Sequence, residues 1–301
     1  MTSTLAPTIH DWTQADIPDL AGKTVVVTGG NSGIGLEATR AFAAHGAHVV
    51  LAVRDEKKGQ DAAATIAGST EVRRLDLADL VSIQKFAAAW TGDIHILVNN
   101  AGVMVPPLTR TEDGFELQFG TNHLGHFALT NLLLPHIIGR IVIVSSSVHR
   151  SGRIDFDDLN FTTRRYGGGS AGYAQSKLAN LLFTLELQRR LTAAGSSVLA
   201  TAAHPGMAAT NLNSSSTNVA LNLFAKAVVA VFAQPSIDGA APTLFAATAP
   251  MPPAGYAGPS KRGGFAGPPV LVDRSANASD PAVAARLWAA SETLTGVSFP
   301  L

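Results

Sequence analysis

The stretch Lys23–Gly35, KTVVVTGGNSGIG, joins a β-rich apolar run to a cluster of glycines that opens an alanine-rich helix. Glycines at such a turn let the backbone approach a pyrophosphate, and a helix N-terminus supplies free N–H groups and a positive dipole. The stretch therefore predicts a nucleotide site, with a simple tight turn as the alternative. Its glycines follow Gly-x-x-x-Gly-x-Gly rather than the commoner Gly-x-Gly-x-x-Gly. The residues predicted to bind a cofactor here are Gly29, Asn31, Ser32, Gly33, Ile34 and Gly35.

Five further apolar runs follow along the chain, most of them separated by helical patterns. Runs that are apolar on both faces and alternate with helices indicate a parallel sheet covered on both sides. Because such crossovers are right-handed, we expect an α/β fold, a Rossmann-like doubly wound parallel sheet with helices on both faces. The further strands are predicted at Ala47–Val53, Glu71–Leu75, Ile94–Asn99, Arg140–Ser145 and Val198–His204. The helices are predicted from Gly35 to about His45 and at Glu56–Ala67, Asp79–Trp90, Thr111–Ile138 and Gly172–Ala194.

The domain organisation predicted from these patterns is simple. Residues 1–22 form an N-terminal extension, and residues 23–301 form a single domain. Residues 207–235 are predicted to be a substrate lid, because they are rich in apolar side chains; the same side chains would equally suit a core or a subunit interface.

The C-terminal part, residues 250–301, is predicted to be a loop followed by a helix. Its first section, Pro250–Pro269, is rich in Gly and Pro and is therefore expected to be loop. The section Asp280–Leu294 has the pattern of a terminal helix.

Composition excludes several classes of function. The chain has 301 residues, is 46% hydrophobic and has a net charge of zero, so no basic excess points to nucleic acid or an anionic membrane. It has no cysteine, and its nine histidines are scattered, so no metal site is implied. The N-terminus carries acidic residues and no basic one, and no run reaches the roughly 18 apolar residues of a membrane span. We expect a cytoplasmic protein without a membrane anchor.

The end of the second predicted strand bears on which dinucleotide would bind. An acidic residue there selects the 2′-hydroxyl of NAD, whereas an arginine suits the 2′-phosphate of NADP. The strand ends in Arg54, and Asp55 follows one position late, where it suits the N-cap of the next helix. NADP(H) is therefore favoured and NAD(H) remains open; the alternative for Arg54 is a solvated charge.

Tyr173 and Lys177 are spaced so that they share one face of a helix. An unperturbed tyrosine has a pKa of about 10 and is a poor acid or base at neutral pH. A neighbouring ammonium can lower that pKa by stabilising the phenolate. The pair is a candidate for proton exchange with a hydroxyl or carbonyl group, although Tyr-x-x-x-Lys also arises by chance on exposed helices.

Seven motifs in order give the chain a specific resemblance. From Lys23 to about Thr210 it resembles the short-chain dehydrogenase/reductase family, whose fold has the Rossmann-like architecture expected above. The motifs are Thr28–Gly35, Asp76-Leu77, Asn99-Asn100-Ala101-Gly102, Asn122, the serines after Val144, Tyr173–Lys177 and His204-Pro205-Gly206. The stretches Asn122–Phe127 and Ser176–Asn180 resemble more narrowly the retinol-dehydrogenase-like branch, which includes the WW-domain oxidoreductase.

The resemblance implies a role for each matching residue. Asn122, Ser146, Tyr173 and Lys177 would be catalytic: Tyr173 as proton donor and acceptor, Ser146 as a hydrogen-bond donor to the substrate oxygen, and Asn122 through a water that relays protons to Lys177. Ser146 is chosen over Ser145 and Ser147 by its distance from the strand start, with a slip of one position left open. The remaining implied cofactor contacts are Asp76, Leu77, Asn100, Ala101, Gly102, Pro205, Gly206 and Thr210.

The activity implied is hydride transfer, dependent on NADP(H), that interconverts an alcohol and an aldehyde or ketone on a small, apolar substrate. The alternatives are a catalytically silent, nucleotide-binding interaction protein on the same fold, and a sugar epimerase or dehydratase. The latter group usually carries Gly-x-x-Gly-x-x-Gly, which this chain lacks. In the family the two long helices often pair across a dimer axis, so a homodimer or homotetramer is a further expectation.

Overall fold

The computed structural model describes residues 12–206 and 236–301. Within them the chain forms one sheet of eight strands: Thr24–Thr28 (β1), His48–Val53 (β2), Ser69–Arg74 (β3), Ile94–Asn99 (β4), Ile137–Val144 (β5), Leu199–Ala203 (β6), Tyr256–Lys261 (β7) and Ala266–Leu271 (β8). The order across the sheet is β3-β2-β1-β4-β5-β6-β7-β8. All neighbours pair in parallel except β7 and β8, which are antiparallel. The predicted doubly wound α/β sheet is therefore confirmed.

The helices of the described residues follow the strands in alternation. They are Gly33–Ala44 (α1), Glu56–Ala63 (α2), Leu80–Ala88 (α3), Leu117–Phe119 (α4), Gly125–Leu133 (α5), Ser170–Ala193 (α6), Ser236–Thr248 (α7) and Pro281–Thr295 (α8). A π-helical turn, Gly120–Leu124, joins α4 to α5. The last helix begins where the carboxylate of Asp280 accepts hydrogen bonds from the N–H groups of Ala282 and Val283.

The helix predicted over Thr111–Ile138 is shorter in the structure. It begins only at Leu117, because the Glu116 carboxylate caps it by accepting from the N–H groups of Gln118 and Phe119. The residues before it form a turn that ends in an isolated antiparallel bridge between Arg110 and Glu116.

The fifth strand also differs from its predicted bounds, since it begins at Ile137 rather than Arg140. The register against β4 shifts between Ile94 and Ile96. At that shift Gly139 approaches the His95 carbonyl so closely that any side chain would clash. The glycine thus lets an irregular strand start continue into the sheet.

The prediction that Pro250–Pro269 is loop was wrong, because this section contains β7 and most of β8. Parallel pairing of β7 with β6 ends at Ala257, two residues before Pro259. Pro259 pairs only with Pro269 on β8, which is the edge strand. The prolines therefore lie where the missing N–H breaks no ladder to the centre of the sheet.

The C-terminal helix α8 completes the core beside α6. Trp288 is buried between the rings of Phe127 and Phe183, whose centroids lie 4.9 and 5.7 Å away. The guanidinium of Arg190, on α6, lies 4.4 Å from the Trp288 ring. This part of α6 is therefore covered within the chain rather than exposed to a second copy.

The described part of the predicted N-terminal extension also packs on the core. Trp12, Ile17 and Leu20 are buried, and the Trp12 ring meets Phe245 of α7 edge-on at 5.6 Å. Among the helices of residues 12–206 and 236–301, none combines the length and apolarity needed to cross a membrane.

We expect Trp288→Ala to lower the free energy of unfolding by about 3–5 kcal/mol, because it removes a fully enclosed ring and leaves a cavity. Urea unfolding followed by circular dichroism measures the change. The control is Val81→Ala on α3, where the side chain is 53% exposed; its effect should stay within about 0.5 kcal/mol. Equal effects of the two substitutions would contradict the role given to α8.

Candidate functional site

A groove runs along the carboxyl ends of the strands where β1 lies between β2 and β4. At this point the chain reverses its direction across the sheet, which is where ligands bind in doubly wound folds. Two adjoining cavities of about 290 and 270 Å³ form the groove, and they share Gly29, Ala101, Gly102 and Val103. The predicted site residues that line it are Gly29, Asn31, Ser32, Gly33, Ile34, Gly35, Arg54, Asp76, Leu77, Asn100, Ala101, Gly102, Tyr173, Lys177 and Pro205.

The glycine turn has the geometry that a bound pyrophosphate requires. Gly29 and Gly33 have φ angles of +65° and +52°, which side chains rarely adopt. A Cβ on Gly35 would clash with the Gly29 carbonyl and lie 2.5 Å from the Asn100 amide nitrogen. Ser32 is the N-cap of α1 but makes no side-chain capping bond, so the first N–H groups of α1 are not satisfied by that hydroxyl. The turn therefore fits a dinucleotide phosphate.

A buried hydroxyl ties this turn to the neighbouring strand end. The Thr28 hydroxyl accepts hydrogen bonds of 2.9 Å from the N–H groups of both Asn100 and Ala101. The Asn100 side chain in turn donates to the Thr28 carbonyl at 2.8 Å. Asn100 thus holds the two walls of the groove together.

His126 extends the same junction to the π-helical turn. Its Nδ1 donates to the Asn122 carbonyl at 3.0 Å, so Nε2 is free to accept from the Thr28 hydroxyl at 2.9 Å. Burial lowers the pKa of His126 to about 4, and the ring therefore stays neutral at physiological pH.

The outer cavity of the groove, the one of about 270 Å³, is lined by two cationic side chains near the end of β2. Arg54 is exposed and lines it together with Lys58, which lies one helical turn further on. Asp55 is the N-cap of α2, as predicted, and accepts from the Lys58 N–H at 3.1 Å; this bond lowers the pKa of Asp55. Asp76 lines the same cavity and accepts from the Ala78 N–H at 3.0 Å.

Sequence reasoning missed several residues that line the groove. Lys58 and Thr121 are two of the polar ones in the outer cavity, and the Thr121 hydroxyl is shielded from solvent with no hydrogen-bond partner among the described residues. Lys58 could have been recognised from the sequence, since it follows Arg54 by four residues at the start of a predicted helix. Thr121 has none, because only the fold brings the π-helical turn beside Asp76. The other missed residues are Ala52, Val53, Asp55, Leu75, Val103, Val144 and Ser145.

The three consecutive serines after β5 have three different surroundings. Ser145 is buried and its hydroxyl donates to the Lys177 carbonyl at 2.7 Å. An interaction with the Ser146 hydroxyl lowers the pKa of Tyr173. Ser147 opens a short 3-10 helix and borders a separate cavity beside His149. Ser146 is therefore the serine that meets the tyrosine.

Burial dominates the electrostatics of Tyr173 and Lys177. It raises the pKa of Tyr173 to about 12, and the hydrogen bond from Ser146 opposes this only in part. Burial lowers the pKa of Lys177 to about 8. The Lys177 ammonium donates to the Val144 carbonyl at 3.1 Å and lies 5.6 Å from the centre of the Tyr173 ring. The expectation that Lys177 brings the tyrosine pKa below its ordinary value is therefore not met in this structure.

Asn122 lies behind the groove, within the π-helical turn. Its side chain accepts from the Val103 N–H at 2.8 Å and donates to the Val103 carbonyl and the Ser176 hydroxyl, both at 3.0 Å. The amide thus fixes the loop after β4 against α6. Asn99 similarly braces the sheet by donating to Thr130 at 2.7 Å.

The segment after β6 is described only as far as Gly206. Pro205 lines the groove, and Gly206 has a φ of +69° beside the Phe265 carbonyl, where a Cβ would lie 2.5 Å away. Thr210 and the predicted lid, residues 207–235, lie outside the described residues.

This groove, with its glycine turn and its Tyr173–Lys177 pair, defines a dinucleotide-binding α/β protein of the dehydrogenase class. Residues 23–158 match the family model described as short chain dehydrogenase. The chain is 38% identical to mouse Retinol dehydrogenase 14 over 92% of its length and 86% of that protein. The chain therefore belongs to the short-chain dehydrogenase/reductase family, in its retinol-dehydrogenase-like branch.

Two further comparisons give the extent of the similarity. Human Retinol dehydrogenase 13 is 51% identical over 211 residues, which span 66% of this chain but only 62% of that relative. A crystal structure of an uncharacterized protein from Mycobacterium paratuberculosis is 51% identical, with a TM-score of 0.84, and covers 96% of this chain and 99% of its own. The architecture is thus shared across nearly the whole chain.

We expect Lys177→Met to stabilise the protein at neutral pH. The unfolded chain binds more protons than the folded one between about pH 8 and the ordinary lysine pKa of 10.5, so the stability of the parent rises with pH across that window. Below pH 8 the buried charge costs about 3 kcal/mol, which methionine avoids. Urea unfolding at pH 7 and pH 10 should show this gain shrinking as pH rises.

The matched control for that measurement is Lys58→Met, which removes an exposed lysine. It should leave the pH dependence of unfolding as in the parent. A gain for Lys177→Met that is the same at both pH values would show that the lysine carries no electrostatic penalty.

Proposed function

We propose that the protein is an NADP(H)-dependent oxidoreductase that interconverts an alcohol and an aldehyde or ketone. The observation that carries the proposal is that Tyr173 and Lys177 line the dinucleotide groove together, with the Lys177 ammonium 5.6 Å from the centre of the Tyr173 ring. The interaction with Ser146 lowers the pKa of the same phenol. Two hydroxyl groups that converge beside a hydride carrier suit a substrate oxygen that gains or loses a proton.

The proton chemistry follows from the surroundings of Tyr173. A bound nicotinamide cofactor supplies or accepts the hydride. With a pKa of about 12 the phenol is protonated at neutral pH, so Tyr173 donates its proton to the carbonyl oxygen in the reductive direction. Ser146 hydrogen-bonds the same oxygen and stabilises the charge that develops on it. The Lys177 ammonium, held by the Val144 carbonyl, stabilises the phenolate that remains.

The cations of the outer cavity support NADP(H) over NAD(H). Arg54 and Lys58 line it together, and a planar guanidinium can pair with a phosphate through two parallel bonds. Asp55 is occupied as the cap of α2, so its carboxylate is directed to backbone N–H rather than to a ribose hydroxyl. An NAD(H) site would favour the reverse arrangement.

Exposed apolar side chains occur on three segments that follow or contact residues of the site, and they support a hydrophobic substrate. Leu108, Val148 and Phe265 are all exposed. They belong to the loop after β4, the turn after Ser146 and the hairpin that contacts Gly206. The relatives named retinol dehydrogenases agree with this class, and we propose an apolar alcohol or its carbonyl counterpart as substrate.

We expect Tyr173→Phe to retain cofactor binding while lowering kcat by roughly 10²–10⁴-fold, because the proton donor is lost and the ring remains. Cofactor binding is measured by fluorescence titration, and turnover by NADPH absorbance with a panel of apolar aldehydes and ketones. The control is Tyr166→Phe, whose hydroxyl contacts Glu116 and Gln118 instead of the groove; its kcat should match the parent. A parent that binds NADPH but turns over no substrate would favour the silent binding protein.

We expect Arg54→Ala to raise the KM for NADPH by roughly 10–100-fold, the cost of one charge-assisted hydrogen bond, and to leave the KM for NADH nearly unchanged. Steady-state kinetics with both cofactors give the comparison. The control, Arg74→Ala, removes an exposed arginine at the end of the neighbouring strand β3 and should affect neither KM. Equal effects of Arg54→Ala on the two cofactors would refute the phosphate assignment.

A further inference from the structure

His149 lies three residues after Ser146 in the same 3-10 turn, and its ring returns to the serine. The ring Nδ1 lies 2.8 Å from the Ser146 carbonyl oxygen, which also accepts from the His149 backbone N–H at 3.1 Å. The side chain is only 1% exposed. The backbone of Ser146 is therefore held by two donors of one residue.

The other side of the ring is fixed by the C-terminal part of the chain. The Ser275 N–H donates to His149 Nε2 at 3.2 Å, so Nε2 must be the acceptor and Nδ1 must carry the proton. The Tyr256 ring lies edge-on to the imidazole at 5.7 Å. Arg150, the next residue, donates to the Asp273 carbonyl at 2.8 Å. Two hydrogen bonds thus attach the serine turn to residues 273–275.

The neighbours of the ring keep this arrangement in one protonation state. Burial lowers the pKa of His149, and the positive charges of Arg150 and Arg274 lower it further. Tyr256 and His204 share the surrounding region, and burial keeps both of them neutral as well. The imidazole therefore acts as a fixed neutral connector, with one donor and one acceptor.

Without this connector Ser146 has weak support. Its own hydroxyl accepts only a long contact of 3.4 Å from the Val148 N–H, and regular pairing of β5 ends two residues earlier at Val144. Ser146 must nevertheless stay beside Tyr173, because its interaction with the phenol lowers the pKa of Tyr173. A small rotation of the turn would remove that contact.

We infer that His149 is a positioning residue: it transmits the fixed position of Ser275 to the Ser146 carbonyl and so holds the Ser146 hydroxyl against Tyr173. The inference rests on the proposed oxidoreductase function. The residue touches neither substrate nor cofactor in this role. It acts through the backbone of Ser146 alone.

Two substitutions separate the two hydrogen bonds of the ring. His149→Asn places an amide donor where Nδ1 lies and loses the contact with Ser275, whereas His149→Gln reaches the position of Nε2 and loses the donor to Ser146. We expect His149→Gln to lower kcat about tenfold or more, the effect of one lost hydrogen bond, with the KM for NADPH unchanged. His149→Asn should keep kcat within about threefold of the parent.

The pH profile of kcat separates the positioning role from a loss of folded protein. Unfolding lowers kcat but does not shift the pKa that the alkaline limb, the falling part of the profile at high pH, reports. The Ser146 hydrogen bond lowers the pKa of Tyr173, so its loss raises that pKa. The alkaline limb of the profile should therefore shift to higher pH in His149→Gln and stay in place in His149→Asn. Ser275→Pro removes the same far contact as His149→Asn without changing the histidine, at a residue whose φ of −67° proline accepts. It should therefore match His149→Asn in kcat and in the position of the limb.

The matched control is His95→Gln. His95 also accepts from one backbone N–H, that of Thr24 at 3.1 Å, but it lies at the opposite ends of the strands from the site. Its kcat and alkaline limb should equal those of the parent. If His149→Asn and His149→Gln lose kcat equally, or if neither moves the limb while the parent is active, the positioning role is wrong. Inactivity of the parent, or full activity of Tyr173→Phe, would instead overturn the proposed function and with it this role.

Discussion

The groove depends on one buried hydroxyl, that of Thr28 at the end of β1. It accepts from two consecutive N–H groups, those of Asn100 and Ala101, and donates to His126. An unsatisfied N–H group in this buried region would cost about 1–3 kcal/mol, so a side chain without an oxygen could not take its place cheaply. The glycine turn, the end of β4 and the π-helical turn therefore adopt one relative position. These three segments carry the glycines, Asn100–Val103 and Thr121 of the groove.

Features that follow from local sequence could be predicted, and those that depend on distant contacts could not. Strands β1–β6 could be located from short runs in the local sequence, without help from the rest of the chain. The β7–β8 hairpin has no such run, because its Pro and Gly residues suit strands only at an edge, and the edge is a property of the whole sheet. In the same way Arg54 is visible in the sequence, while Thr121 enters the site only through the fold.

The same burial that shapes the site also sets its energetic cost. It raises the pKa of Tyr173 and lowers the pKa of Lys177, so each group is shifted toward its neutral form. Neither shift serves stability: a buried lysine with one carbonyl partner is less favourable than an apolar side chain of similar size. Retaining it is reasonable only where a phenolate must form beside it. The site is thus a place where function opposes stability.

The three serines after β5 show why the C-terminal part of the chain belongs to the site. Their sequence is uniform, and alternation along a strand can only separate Ser146 from its two neighbours. The structure assigns their partners through distant segments: Ser145 through the backbone of α6, and Ser146 through Tyr173 on one side and His149 on the other. Since His149 is fixed by Ser275, residues beyond the parallel sheet determine the position of a hydroxyl at its centre. The sequence motifs up to Tyr173 and Lys177 therefore identify the reacting groups but not the later residues that hold Ser146 in position.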